Sequence, residues 1–238
     1  MSELLVLEEL TLQGPDRVLV EGVSLTLTRG HVTALVGPSG SGKSLSARAA
    51  MGVIDVRPGL LRGSLWLPEH RSGDLFAGVA EGGERAHRRL FEDLGPLRGR
   101  ALTYAPQGAA SALNPGRTVG WQLAMALRRR SAPPADPARA IEGLLERVDL
   151  TPDVARALPS ELSGGMAQRV ALAVALAPSP AIVIADEPEA GLDPITRHTI
   201  VELLEHVARD EEVALWLISH STEIVARMAA TVVDLGAR

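Results

Sequence analysis

The sequence contains no cysteine, which removes disulfides, thiolate metal sites and cysteine-ligated iron–sulfur clusters together. Aromatic residues are scarce, at 3% of the chain, and none precedes Trp66. No window reaches the roughly 18 apolar residues that a membrane span needs. The most apolar stretch, Val170 to Ala185, is interrupted by Pro178 and Pro180. Positive charge is not in excess: the net charge is −5 and the pI about 5.7, so no global basic field recruits nucleic acid. The local clusters Arg88-Arg89 and Arg128-Arg129-Arg130 read as solvated helix faces. Met1-Ser2-Glu3 leads directly into strand-like sequence, so no secretory leader is expected. A cytosolic protein follows, with any link to a membrane made through a partner.

What is present suits a soluble globular protein. The chain has 238 residues, 46% hydrophobic and 22% charged, enough for one large domain or a domain with an inserted lobe. Leu4 to Leu7, Val18 to Val20 and the alternating Val23 to Leu27 predict short strands of an antiparallel layer. Val32 to Val36 is a continuous apolar run, as in a strand covered on both faces. Residues 58 to 99 are glycine-rich, with a strand expected at Ser64 to Leu67 and a helix at Glu84 to Leu94. Further strands are expected at Ala101 to Ala105, Ala181 to Ala185 and Val213 to Ile218. Helices are expected at Lys43 to Met51, Val119 to Arg130, Ala138 to Val148, Gly164 to Ala177, Ile195 to Arg209 and Ser221 to Ala230. Strands alternating with helices argue for an α/β fold with a mostly parallel sheet. The stretch from about 107 to 160 has no strand signal and reads as a helical lobe, leaving 1–106 and 161–238 as the core.

Three motifs carry chemistry. Gly37-Pro38-Ser39-Gly40-Ser41-Gly42-Lys43-Ser44 fits the phosphate-loop pattern, with a strand before it and a helix after it. Its glycines let backbone N–H groups converge on phosphate oxygens at a helix N-terminus. Lys43 is placed to reach the β- and γ-phosphates of ATP, and Ser44 to ligate Mg²⁺. The strand Ala181 to Ala185 delivers Asp186 and Glu187 at its C-terminal end, where open α/β sheets place ligands. Asp186 suits Mg²⁺, and Glu187 suits the general base that polarises the attacking water. Ser163-Gly164-Gly165 opens a third element, a second anion-binding helix start. With only one lysine-bearing loop, this second start suggests a role toward another subunit's nucleotide.

The octet Leu162-Ser163-Gly164-Gly165-Met166-Ala167-Gln168-Arg169 resembles the signature motif of ABC-type ATPases, and all three motifs stand in that family's order. The resemblance covers nearly the whole chain. It implies a P-loop ABC ATPase core, mostly parallel sheet with helices plus an antiparallel β layer, and an inserted helical subdomain. It also implies a head-to-tail dimer with two ATP molecules between the subunits, Ser163 to Gly165 of one facing the γ-phosphate held by the other. Gln107 matches the glutamine that contacts Mg²⁺ and the attacking water. Asp193, within Gly191-Leu192-Asp193, matches the loop that crosses the dimer interface. His220 matches the switch histidine at the γ-phosphate.

Gln107-Gly108-Ala109-Ala110-Ser111-Ala112-Leu113-Asn114-Pro115 resembles a stretch of the dipeptide, oligopeptide and nickel importer ATPases. Thr118-Val119-Gly120 continues the likeness, and Val23 to Ser46 looks most like the nickel-importer type. The implied partners are a homologous, in preference to identical, second ATPase, two membrane permeases and, indirectly, an extracytoplasmic solute-binding protein. The implied location is the cytoplasmic face of the membrane, and no nucleic acid partner is expected. The chain stops soon after Asp234-Leu235, which favours the metal or metallophore branch over the peptide branch.

Several positions depart from the family pattern. No aromatic stands upstream of the phosphate loop to stack on adenine, which leaves aliphatic or cationic groups near Arg17 and Val18. Gly108 and Ala109 replace an acidic residue and a proline, Glu189 and Ala190 replace two threonines, and Ser221 replaces an aspartate. None of these removes a catalytic group. A soluble ABC ATPase of DNA repair or translation, and an exporter ATPase, are the alternative readings. Against the first stands the lack of coiled-coil insertions, zinc-binding cysteines or a tandem domain. Against the second stands Leu113-Asn114-Pro115.

Overall fold

The computed structural model describes residues 2–108 and 112–236. The Ala109, Ala110 and Ser111 positions of the importer-like stretch lie outside the described residues. By its internal contacts the chain divides into two compact units, Met1–Arg98 with Ala214–Arg238, and Gly99–Val213.

The first unit opens on an antiparallel sheet in the order β2-β1-β4, built from β1 (Glu3–Gln13), β2 (Val18–Thr28) and β4 (Gly59–Trp66). β1 and β2 run 11 residues each, longer than the short strands that the alternation predicts. The cause lies in the register shifts between them, two of which fall mid-strand. Leu7 faces Leu25, Leu10 faces Val23 and Leu12 faces Val20, so one extra residue enters β1 and then one enters β2. Glu9 (φ 50°) and Gly22 (φ 56°) sit at these points, and each bulge resets the period-two pattern on which strand reading depends. Thr11 Oγ1 steadies the second by accepting from the Gly22 N–H at 3.0 Å.

β3 (Val32–Val36) lies between β7 (Ala214–Ile218) and β8 (Thr231–Asp234), parallel to both. All five residues of β7 are buried, Trp216 completely, as an apolar run covered on both faces requires. β8 has no counterpart among the expected strands: it is four residues long and mostly exposed, too short for a period to register. Helices α1 (Lys43–Ala50) and α7 (Thr222–Met228) follow β3 and β7. Helix α2 (Val79–Asp93) starts five residues before the expected position and is interrupted at Gly83 (φ 56°, ψ −143°), where glycine admits a backbone that other residues resist.

The second unit holds β5 (Leu102–Ala105) and β6 (Ile182–Asp186), which are parallel. Between them, among the described residues from 112 to 161, lie only helices: α3 (Val119–Leu127), α4 (Pro137–Arg147) and two short 3-10 turns. Thr118 caps α3 by accepting from the Trp121 N–H, and Asp136 caps α4 by accepting from Ala138 and Arg139, with Pro137 at the first helical position. Helices α5 (Gly164–Leu176) and α6 (Pro194–Arg209) complete the unit.

Candidate nucleotide site

The strand registers place the chemistry. In the first unit Leu35 pairs with Ile218. The chain leaves β3 two residues later at Gly37 and leaves β7 two residues later at His220, so the phosphate loop and the histidine emerge at the same sheet edge. In the second unit Ala105 pairs with Ala185, and two residues on stand Gln107 and Glu187. Both pairs lie at the C-terminal ends of parallel strands, the edge at which such sheets bind ligands.

The phosphate loop depends on backbone freedom at three points: Gly37 (φ 145°), Gly40 (φ 80°) and Gly42 (φ 93°), the last being the N-cap of α1. Gly42 is also hemmed in. A Cβ there would lie 2.5 Å from Val20 Cγ2 and 2.7 Å from the Leu19 carbonyl oxygen, so the loop rests directly on β2. Lys43 is the one lysine of the whole sequence and is only 5% exposed. Its Nζ donates to the Gly37 and Pro38 carbonyls at 3.0 and 2.9 Å, which holds the ammonium across the mouth of its own loop. Arg17, just before β2, and Val18, its first residue, are both exposed, next to the Leu19–Val20 segment that supports Gly42.

In the second unit the geometry joins two expected residues. Gln107 donates from Nε2 to Glu187 Oε2 at 2.6 Å. Glu187 itself has φ 48°, a left-handed conformation that costs a non-glycine residue on the order of 1 kcal/mol or more. Asp186 is 1% exposed. Its Oδ2 accepts from the Tyr104 hydroxyl at 2.7 Å, while Oδ1 is buried and has no hydrogen-bond partner among the described residues. A buried carboxylate oxygen left unsatisfied costs roughly 1–3 kcal/mol, and a hard divalent cation or a water bound to one would satisfy it. The residues therefore fit Mg²⁺. Tyr104 escaped the sequence reading, because 82 residues separate it from Asp186 and no local pattern links them.

Ser163 is the N-cap of α5, its Oγ accepting from the Met166 N–H at 3.2 Å. Gly164 and Gly165 follow with no internal reason to be glycine. A Cβ on Gly164 would meet nothing within 4 Å, and one on Gly165 only ordinary contacts at 3.5 Å and beyond, to Thr196 and Leu192. Asp193 caps α6, accepting from the Ile195 and Thr196 N–H groups and, at 2.6 Å, from the Thr196 hydroxyl. That hydroxyl bond is the first cause of an Asp193 pKa held below the usual carboxylate value. The Gly165 contacts bring the start of α5 beside the turn that carries Asp193. Ser221, after the exposed His220, caps α7 by accepting from the Ile224 N–H, which accounts for the serine at that position.

Comparison with known proteins identifies the family. Residues 20–190 match the family model described as ABC transporter. A nickel import ATP-binding protein of Brucella abortus is 33% identical over 94% of this chain and 79% of its own length. A methionine import ATP-binding protein of Thermobifida fusca is 34% identical over 94% of this chain, which spans 64% of that relative. A glutathione import ATP-binding protein of Salmonella choleraesuis is 36% identical, and this chain spans 31% of it. Among solved structures, a dimeric ATP-binding cassette in a post-hydrolysis state with ADP and phosphate superposes with a TM-score of 0.78 at 22% identity, covering 98% of this chain and 94% of that one. The family match spans most of the chain, and the chain belongs to the ABC transporter family, as one of its ATP-hydrolysing cassettes.

Proposed function

We propose that this chain is the ATP-hydrolysing subunit of an ABC importer that takes up a small solute, a nickel or metal chelate or a di- or oligopeptide, through partner permeases. The observation that carries the reading is the likeness, over most of the chain, to proteins named for nickel, methionine, glutathione and peptide import.

The segment after Gln107 supports the importer reading. Gln122 of α3 ties down the Asn114 turn: its Oε1 accepts from the Asn114 N–H at 2.8 Å, and its Nε2 donates to the Asn114 and Arg117 carbonyls. Beside this turn the half-exposed Trp121 lies under the Arg117 guanidinium, 4.9 Å from ring to cation. A rigid turn flanked by an exposed aromatic is the kind of surface that receives a partner. In this reading residues from about 107 to 160 form the lobe that meets the permease, and the chain sits peripherally on the cytoplasmic face.

The residue roles follow from the chemistry. The N–H groups of Gly37 to Ser44 and the Lys43 ammonium bind the β- and γ-phosphates. Ser44, Asp186 and Gln107 hold Mg²⁺, which when bound neutralises charge on the phosphate oxygens. Glu187 takes the proton of the attacking water, Gln107 orients that carboxylate, and His220 contacts the γ-phosphate. The unexplained glycines 164 and 165 allow close approach of a second ATPase's nucleotide, with Asp193 at the crossing. A homologous second ATPase is favoured over an identical one, and a solute-binding protein delivers the cargo.

Affinity purification of the full chain from membranes tests this. Recovery of two permeases and a second ATPase is the expected result. Recovery with ribosomes or DNA repair factors, without permeases, overturns it in favour of a soluble ABC ATPase.

A further inference from the structure

We infer that Tyr104 is a positioning residue for the divalent cation: its hydroxyl fixes the Asp186 carboxylate so that Oδ1 alone is offered to the metal or its water. The inference rests on the proposed role of Asp186 at Mg²⁺.

Tyr104 pairs in register with Ile184 on the parallel strands β5 and β6, which places Asp186 two residues further along the adjacent strand. That is within reach of a long aromatic side chain. An ionised carboxylate only accepts hydrogen bonds, so the phenol is the donor. At 2.7 Å the bond has the usual O–H···O length. Asp186 is thereby divided. Oδ2 is held by Tyr104, and Oδ1, also buried, has no hydrogen-bond partner among the described residues. A carboxylate pinned at one oxygen cannot swing about its terminal torsion, so the direction of the other oxygen is set before a cation arrives. Donors that hold a metal-ligating carboxylate in this way typically change metal affinity about 10- to 100-fold when removed. They leave the binding of a metal-free ligand alone.

The test separates these two affinities in the full-length chain. Mn²⁺ is titrated by electron paramagnetic resonance in the presence of a non-hydrolysable ATP analogue. Affinity for a fluorescent ATP analogue is measured separately in EDTA. In Tyr104→Phe the Mn²⁺ affinity is expected to fall about tenfold or more, with the EDTA affinity and the ligand-free melting temperature unchanged. Tyr104→Met, which also lacks the hydroxyl, is expected to behave alike and decides the matter if the phenylalanine variant fails to fold. Wild-type Mn²⁺ affinity in a folded variant overturns the inference, as does an equal loss with and without metal, which would mark a structural role. Asp186→Asn isolates the underlying reading. If it weakens Mn²⁺ binding while the Tyr104 variants do not, only the role of Tyr104 fails. If it leaves Mn²⁺ binding intact, the assignment of Asp186 to the metal fails too.

Discussion

Gln107 and Glu187, 80 residues apart in sequence, are joined by a 2.6 Å hydrogen bond from the Gln107 amide to Glu187 Oε2. In the proposed reaction this carboxylate takes the proton of the attacking water. Replacing that carboxylate by its neutral isostere keeps the shape and removes the base. Glu187→Gln is expected to retain ATP binding while kcat falls at least about 100-fold, the scale of a lost general base. Nucleotide binding and steady-state phosphate release measure the two quantities. Normal turnover in this variant would contradict the role given to Glu187.

Lys43 permits an unusually clean chemical test, since the chain has no other lysine. An amine-directed reagent then has one side-chain target besides the N-terminal amine. Mass spectrometry is expected to find Lys43 modified slowly, as its 5% exposure implies, and protected further by MgATP. Lys43→Ala is expected to lower ATP affinity by about tenfold or more, through loss of charge-assisted bonds to phosphate. Unaltered affinity in the alanine variant would remove Lys43 from the phosphate site.

Glycines at two helix starts should answer oppositely to alanine. At Gly165 the backbone is ordinary and a Cβ has room, so Gly165→Ala is expected to hold or raise stability, by up to about 1 kcal/mol. Its ATPase activity is nonetheless expected to collapse, because in the proposed dimer the glycine serves a neighbour. At Gly42 the same change meets Val20 and Leu19 and a φ of 93°, so melting temperature is expected to drop along with activity. Thermal melts beside ATPase assays distinguish the two. A Gly165→Ala protein with full activity would leave that glycine without its proposed purpose.

His87 on α2 gives a pH dependence of stability. It is 6% exposed, and neither ring nitrogen has a hydrogen-bond partner among the described residues. Burial first, and the Arg57 charge second, push its pKa below the usual value, while Glu84 opposes them. The folded protein thus prefers the neutral ring. Its contribution is complete above the unfolded pKa of about 6.5 and is lost as pH falls below that value toward the depressed folded one. Melting temperatures are compared from pH 7.5 to 5, and the wild-type value minus that of His87→Leu is expected to decrease as pH falls. A constant difference would show that His87 does not titrate in this range.

How much of this was legible in the sequence differs by element. The phosphate loop and the acidic pair were, because each is a contiguous motif set by one strand end. The continuous apolar strands β3, β6 and β7 were too, since burial on both faces needs no period. The extents of β1 and β2 were not, because the bulges at Glu9 and Gly22 break the alternation that reveals a strand. β8 was hidden by its exposure, and α2 by the break at Gly83. The Tyr104–Asp186 bond lay beyond any local pattern, being a product of strand register.

Register also has a consequence for inheritance. The alignments of Leu35 with Ile218 and of Ala105 with Ala185 are made by main-chain ladders, to which any apolar side chain gives equal access. A slip of one residue would displace Gln107 from Glu187 by about 3.3 Å and turn its side chain to the opposite face. The spatial memory of the reaction therefore resides in peptide groups, which mutation cannot edit. The side chains around them are free to drift, and a cassette sharing 22% of its residues with this one keeps the same fold.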